Sequence, residues 1–320
     1  MTLALRFAVF ALAAVVATAS AHAGECGGWL PDLDRDCERI ARPSAFLAPA
    51  VSPFTFDDAF VVTGVRTFHV YQEMPERSLF AGGEAEAVTG ELRAALTDRV
   101  GLSVAKAGAL WIRPENPLVP KRQTPTPLTL GVKLALVQDH DAQRFAALAL
   151  RYGDAFQGGG DGSLMPSLAG AIRLARFTLQ GDLGGSWALD SSFSSSVFWH
   201  AHAAYARFPL VTPFVQLSGQ HWVDGGDGTT TIALTPLGQQ IFQAQSLSLR
   251  DVERSFGSFE GADLVNLGAS EIAGRELITG AAGLRVRIGA FALSAAYEHP
   301  LTKHRGVFGR RVTTSVALEL

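Results

Sequence analysis

The chain ends RVTTSVALEL (311–320), and alternation of side-chain character runs to its last residue. Val312, Thr314, Val316, Leu318 and Leu320 fall on one face of an extended strand, and Thr313, Ser315, Ala317 and Glu319 on the other. A frayed tail has no reason to keep a period of two, so this segment reads as a strand that is paired along its length and apolar on one face. The same pattern recurs upstream. Leu128, Leu130, Val132, Leu134 and Leu136 oppose Thr129, Gly131, Lys133 and Ala135. Phe177, Leu179, Leu183, Trp187 and Leu189 oppose Thr178, Gln180, Asp182 and Ser186. Val211, Val215, Leu217 and Val223 oppose Thr212, Gln216, Ser218 and Gln220, and Phe291, Leu293, Ala295 and Tyr297 oppose Ser294 and Glu298.

Extended over the chain, the pattern predicts twelve strands, near residues 60–72, 84–96, 99–112, 127–138, 143–153, 164–176, 177–189, 195–208, 210–223, 276–288, 290–299 and 309–320. Each is about the length a tilted strand needs to cross a bilayer. The links after strands two, four, six, eight and ten are tight, as at Thr97-Asp98 or Gly289; those after one, three, five, nine and eleven are longer and polar, and the one after seven is short. Short turns at one end and long loops at the other predict an all-β transmembrane antiparallel up-and-down β-barrel of about 12 strands, with its short turns periplasmic. Closure has a physical cause: in hydrocarbon every N–H and C=O must be paired internally, and a closed sheet leaves no edge. A secreted β-sandwich also alternates, but it does not call for strand after strand of this length with Trp and Tyr gathered at one end. Tyr71, Trp111, Tyr152, Trp187, Trp222 and Tyr297 fall near the outer ends of the six upward strands, and Trp199 near the outer start of the eighth, as an interfacial girdle predicts. Trp111 and Trp222 carry lumen parity, which points to a bulge or a shifted register. Phe60, Phe177, Phe208 and Phe291 fall at the opposite ends.

Residues 1–23 hold a single charge, Arg6, then an apolar run and Ala21-His22-Ala23, a pattern that reads as a cleaved signal peptide. Cys26 follows Glu25 and so gives no lipid-anchor signal. Without the leader, 26 Lys+Arg stand against 30 Asp+Glu, a net −4 that gives no footprint for nucleic acid. The two cysteines, Cys26 and Cys37, are expected to form a local disulfide in an exported chain. Residues 24–59 read as a periplasmic segment or small plug, partly disordered, ahead of a barrel over 60–320. Residues 224–275 form one long outer loop in which Thr235-Pro236 could start a short helix; folded over or into the mouth, this loop would restrict passage, and as a surface insertion it would not.

VTGVRTFHVYQ (62–72), GELRAALTDRVGLSVAKAG (90–108), LTLGVKLAL (128–136) and AAYEHPLT (295–302) resemble a group of Gram-negative outer-membrane proteins often compared with the transporters associated with the phenol meta-cleavage pathway. The resemblance implies a barrel in the outer membrane of a Gram-negative bacterium and transport of small, in part aromatic, molecules. Its motifs are strand-and-turn patterns, and no binding residue carries over.

Charges on the faces opposite the apolar ones are the candidate lumen lining: Glu91, Arg93, Lys133, Arg151, Arg173, Asp182, Arg285, Arg287 and Glu298. On lipid, an Arg or Lys near the midplane would cost about 2–4 kcal/mol, so these are expected to point inward. The interior they line is either conducting or closed by its own salt bridges. Gly159-Gly160-Asp161-Gly162 and Gly225-Gly226-Asp227-Gly228 lack the carboxylates of a calcium loop and read as turns. His200 and His202 share a face but show no third metal ligand. Ser191 to Ser196 lie near His200 in sequence without a hydrolase motif. The expectation is therefore a porin-like channel or passive transporter, not an enzyme, with no cofactor and no metal. Its partners would be outer-membrane lipid, a small-molecule solute and the barrel-assembly machinery. A non-conducting surface-binding or structural barrel is the alternative, and an outer-membrane hydrolase the third reading.

Overall fold

The computed structural model describes residues 43, 45–46, 48–153, 162–206, 210–227, 235–237, 240, 260–264, 266–303 and 306–319. Thirteen strand segments follow one another: β1 (Gly64–Glu73), β2 (Gly83–Ala95), β3 (Val100–Pro114), β4 (Arg122–Pro125), β5 (Thr129–Asp139), β6 (Arg144–Gly153), β7 (Ser163–Leu174), β8 (Phe177–Ala188), β9 (Ser195–Tyr205), β10 (Val211–Asp224), β11 (Glu276–Ile288), β12 (Phe291–Pro300) and β13 (Arg311–Glu319). All pair antiparallel with their neighbours, and β1 pairs with both β2 and β13, from Gly64↔Glu319 to Gln72↔Arg311. That pairing closes the barrel and explains the ending of the sequence. Val312 and Val316 point outward at 41% and 45% exposure, while Arg311, Thr313 and Ser315 are buried on the inner face.

The barrel has twelve staves, because β4 and β5 are two pieces of one. Against β3 they keep a single register, Ala109↔Pro125 and Ala105↔Thr129, and are separated only by Thr126-Pro127-Leu128. Pro127 has no N–H to offer a ladder, so the stave breaks there. Opposite the break, β3 carries a bulge in which Gly90 faces Ala107 and Leu92 faces Val104, leaving Ala105 and Lys106 together across from Glu91. The extra residue reverses inside and outside for the rest of β3. Leu110 is therefore buried and Trp111 faces outward, which accounts for its anomalous parity.

Among the described residues, the tight turns between β2 and β3, β5 and β6, β7 and β8, and β11 and β12 lie where expected. At Gly289, φ is +61°, and this residue closes the two-residue link between β11 and β12 with a backbone that L side chains rarely adopt. The apolar faces of the strands are exposed: Leu130, Leu134, Leu148, Leu168, Leu183, Val215, Leu284 and Phe291 are between 43% and 57% exposed, as a lipid-facing wall requires. Leu134→Arg should therefore destabilise the barrel by about 2–4 kcal/mol in bilayers. Urea titration of the lipid-folded protein would measure this, and an unchanged midpoint would contradict a lipid-facing position.

Three expectations are corrected. The first strand begins at Gly64 rather than 60, because residues 48–62 run inside the barrel. Phe60, expected at the strand ends opposite the Trp and Tyr girdle, lies inward at 5% exposure, packed on Phe46 and Phe145. Trp222 also points inward, at 2% exposure, with Ile272, Leu277 and Phe308; a register shift between Trp222 and Asp224 ends its strand beneath the outer loops. Tyr152, Trp187, Trp199 and Tyr297 do face outward near the long-loop end, at 37% to 47% exposure. Cys26, Cys37, Phe208, Gly159 to Asp161, most of the loop 224–275 and Leu320 lie outside the described residues.

Candidate functional site: the barrel interior

The inner segment supplies what the wall lacks. It enters at the short-turn end, where the Phe46, Phe60 and Phe145 rings pack with centroids 5.0 to 5.4 Å apart. It reverses at Ser52, whose carbonyl accepts from the Thr55 and Phe56 amides at 3.2 and 3.0 Å, and returns to β1. Within PFTFDDAFVV (53–62), two adjacent carboxylates interrupt an otherwise apolar run. Buried carboxylates need counter-charges, and the wall provides them. Lys133 Nζ lies 2.5 Å from Asp57 and 3.2 Å from Asp58, Arg93 donates to Asp58 at 2.6 Å, and Arg151 is 3.7 Å from Asp57. Asp57 stands outside the spanning strands. Burial raises its pKa, but Lys133, Arg151 and Arg93 outweigh that and hold it below the usual aspartate value.

Arg66 and Arg93 share Glu91, at 2.5 and 2.8 Å, so this side of the interior carries four ion-paired wall cations and one wall carboxylate, with Lys106 of β3 beside them. Across from it, Asp182 accepts the Asp57 amide at 2.8 Å and pairs with His200 Nδ1 at 2.5 Å. His200 Nε2 is hydrogen-bonded to Thr55 Oγ1 at 3.1 Å, and Phe56 stacks on the imidazole, 4.9 Å between centroids and 7° between planes. Hydroxyl, imidazole and carboxylate follow the order of a hydrolase triad. The Thr55 and Phe56 amides are both used by Ser52, so neither is available to stabilise an oxyanion. The arrangement pins the inner segment to β8 and β9.

Above the inner segment the outer loops form a cap. Arg311, 1% exposed on β13, donates to Asp263 at 2.7 Å and to Gln72 at 2.7 and 3.1 Å, and lies 3.5 Å from Glu298. Glu260 accepts from the Ser194 hydroxyl at 3.0 Å and from the Leu267 and Ala269 amides at 2.9 and 2.8 Å. Thr235 donates through its amide to Leu118 and through its hydroxyl to Pro117, which carries the long loop across toward the β3–β4 hairpin. Between cap and inner segment remains a cavity of about 110 Å³.

Of the charges singled out in the sequence, Glu91, Arg93, Lys133, Arg151, Asp182, Arg285 and Glu298 face the interior, where Arg285 donates to Ser294 at 2.6 Å. Arg173 and Arg287 sit at the short-turn rim and donate to the turn carbonyls of Ala175 and Gly289. His200 and His202 both point inward, but His202 packs against Phe214, and no group of three or more potential ligands among the described residues is arranged to hold a metal. Ser191, Ser194 and Ser196 bond to Asp227, to Glu260 with Asn266, and to Gln220, respectively, and not to His200. Gly226 and Asp227 tie to Ala269 and Ser191 as loop backbone. Sequence reading missed Asp57, Asp58, Arg66, Lys106, Asp263 and Arg311. The Asp57-Asp58 doublet inside an apolar run was the available signal.

The barrel is thus closed, built of twelve staves, apolar outside and polar inside. The outer-membrane channel of Pseudomonas putida F1 superposes with a TM-score of 0.51 at 11% identity, over 86% of this chain and all of that one. The fold is that of an outer-membrane β-barrel. The NanC porin (TM-score 0.49, 7% identity, 80% of this chain and all of that one) and the β domain of the Bordetella autotransporter Brka (TM-score 0.44, 11%, 81% and all) show weaker likeness. No protein-family model and no curated protein matches the sequence. Identities this low speak to architecture alone.

Proposed function

We propose that the protein is a passive outer-membrane channel for a small solute with an apolar part, closed at rest by the segment 48–62 and by the outer cap. The observation that carries this reading is how the inner segment is held. Side-chain ion pairs, single hydrogen bonds and apolar packing join it to the wall, while the ladder hydrogen bonds of the barrel close without it. An element docked in this way can leave while the barrel stays intact. Once it leaves, Arg66, Arg93, Lys133 and Arg151 face Glu91 alone, a net-basic lining that favours anions. A non-conducting role is favoured by the packing at both ends. Planar-bilayer recording of the refolded mature chain separates the two: discrete steps are expected, and silence, with a heat-modifiable folded barrel on gels, would move the reading to the structural role.

A further inference from the structure

The cavity between the inner segment and the cap is not electrically neutral in its pairing. Its roof carboxylates are Glu260, engaged by a hydroxyl and two amides, and Asp263, whose Oδ1 is held by Arg311 while its Oδ2 has no hydrogen-bond partner. In the interior wall, Arg66, Arg93, Lys133, Arg151 and Arg311 each lie within 3.7 Å of a carboxylate. Lys106 also lines the cavity, and among the described residues its ammonium has neither a hydrogen-bond nor an ion-pair partner; its neighbour is the face of Phe54, 5.3 Å from the ring centroid.

The backbone holds it there at a cost. Lys106 has φ +61°, a left-handed and strained conformation for a residue with a Cβ. The bulge that imposes it faces the stave break at Thr126-Pro127-Leu128, and Thr126 bonds back to the Lys106 carbonyl. Without the bulge, strand parity would turn position 106 to the lipid side, as it does Leu102 and Val104. The cavity's lining is mixed: Leu110, Met165 and Trp222 offer apolar surface, and Gln220 and Asn266 offer amides.

We propose that this cavity binds a small monocarboxylate, with the Lys106 ammonium holding the carboxylate and Leu110, Met165 and Trp222 covering the hydrocarbon part. The inference rests on the channel reading for its meaning, as the transported solute's stopping place, but not for its test. A cavity of 110 Å³ is somewhat smaller than the roughly 150 Å³ that accommodates benzene, so an acid of butyrate size fits and larger acids require the cap to shift. A charge-assisted hydrogen bond in a water-poor site is worth about a tenfold to hundredfold preference over the neutral analogue.

The test is isothermal titration of the detergent-folded mature protein with sodium butyrate and with 1-butanol, which needs no conductance. Wild type is expected to prefer butyrate at least tenfold, Lys106→Met to lose that preference, and Lys106→Arg to keep it. Equal affinity of wild type for butyrate and butanol, no binding of butyrate, or undiminished butyrate binding by Lys106→Met would each overturn the assignment. The wild-type comparison decides even where a variant fails to fold. A silent bilayer with butyrate binding intact would sink the channel alone, whereas conductance with no butyrate preference would sink this site alone.

Discussion

Replacing Asp57 and Asp58 together by asparagine is expected to raise the open fraction of the channel at least tenfold in planar bilayers. The substitution keeps the size of both side chains and removes their charge, so four contacts lose their attraction: Lys133 with each aspartate, Arg93 with Asp58, and Arg151 with Asp57. Breaking a fully buried pair from one side costs about 3–5 kcal/mol; water returning to the lumen reduces that, yet about 1.4 kcal/mol suffices for a tenfold shift. The stranded cations favour the undocked state further, because they can hydrate once the segment has gone. Asp98→Asn, in the turn between β2 and β3, serves as the control and should leave gating unchanged. Equal open fractions for wild type and the double variant would refute gating by this segment. Acid should mimic the substitution. Asp57 is held below the usual aspartate value when docked, so its contribution to docking is fully present above that value and is lost as pH falls below it. Opening of wild type on acidification below about pH 4, and a flat response of the double variant, are the expected pair of results.

The wall was legible because lipid imposes one rule on every strand. A residue such as Leu130 or Leu183 must be apolar, and its neighbours Gly131 and Asp182 need not be, so the alternation survives translation into structure. Charges at lumen parity were legible for the same reason, which is why Glu91, Arg93, Lys133, Arg151 and Asp182 all face inward. Their partners were not. Asp57 and Lys133 lie 2.5 Å apart across many intervening residues, and nothing periodic links them. The inner segment was misread at its end because Phe60, Val61 and Val62 are apolar for another cause: they pack on Phe145, Ala95 and Ala135 inside the barrel, and a fragment of strand-like composition looks the same from either side of the wall. Bulges were the other blind spot. A single extra residue at Lys106 exchanges inside for outside over the rest of β3, and the pattern alone could only register that Trp111 stood on the wrong face.

Arg311→Met is expected to lower the stability of the folded barrel by about 3–5 kcal/mol, the largest effect of any single change in the cap. Arg311 opens the terminal strand, where alternation first marked the fold, and its side chain is 1% exposed. It joins three parts of the molecule: Gln72 on β1, Glu298 on β12, and Asp263 in the loop above, with its guanidinium 4.5 Å from the Phe308 ring centroid. Methionine fills similar space, so the packing term is small and the electrostatic one dominates: Asp263 and Glu298 are left buried, with Glu298 keeping the Thr279 hydroxyl at 2.5 Å and no cation. Two buried carboxylates deprived of their guanidinium repel, and the loop that carries Asp263 relieves this by lifting toward solvent. The variant should therefore show a lower urea midpoint and new protease cleavage within 260–272, while the strands remain protected. Asp263→Asn in the same chain removes one of the stranded charges and should restore part of the loss, a coupling that a simple packing defect would not produce. A variant as stable as wild type, or a double variant worse than the sum of the singles, would mean that the cap is held by its apolar cluster around Trp222, Ile272 and Phe308 instead of by Arg311.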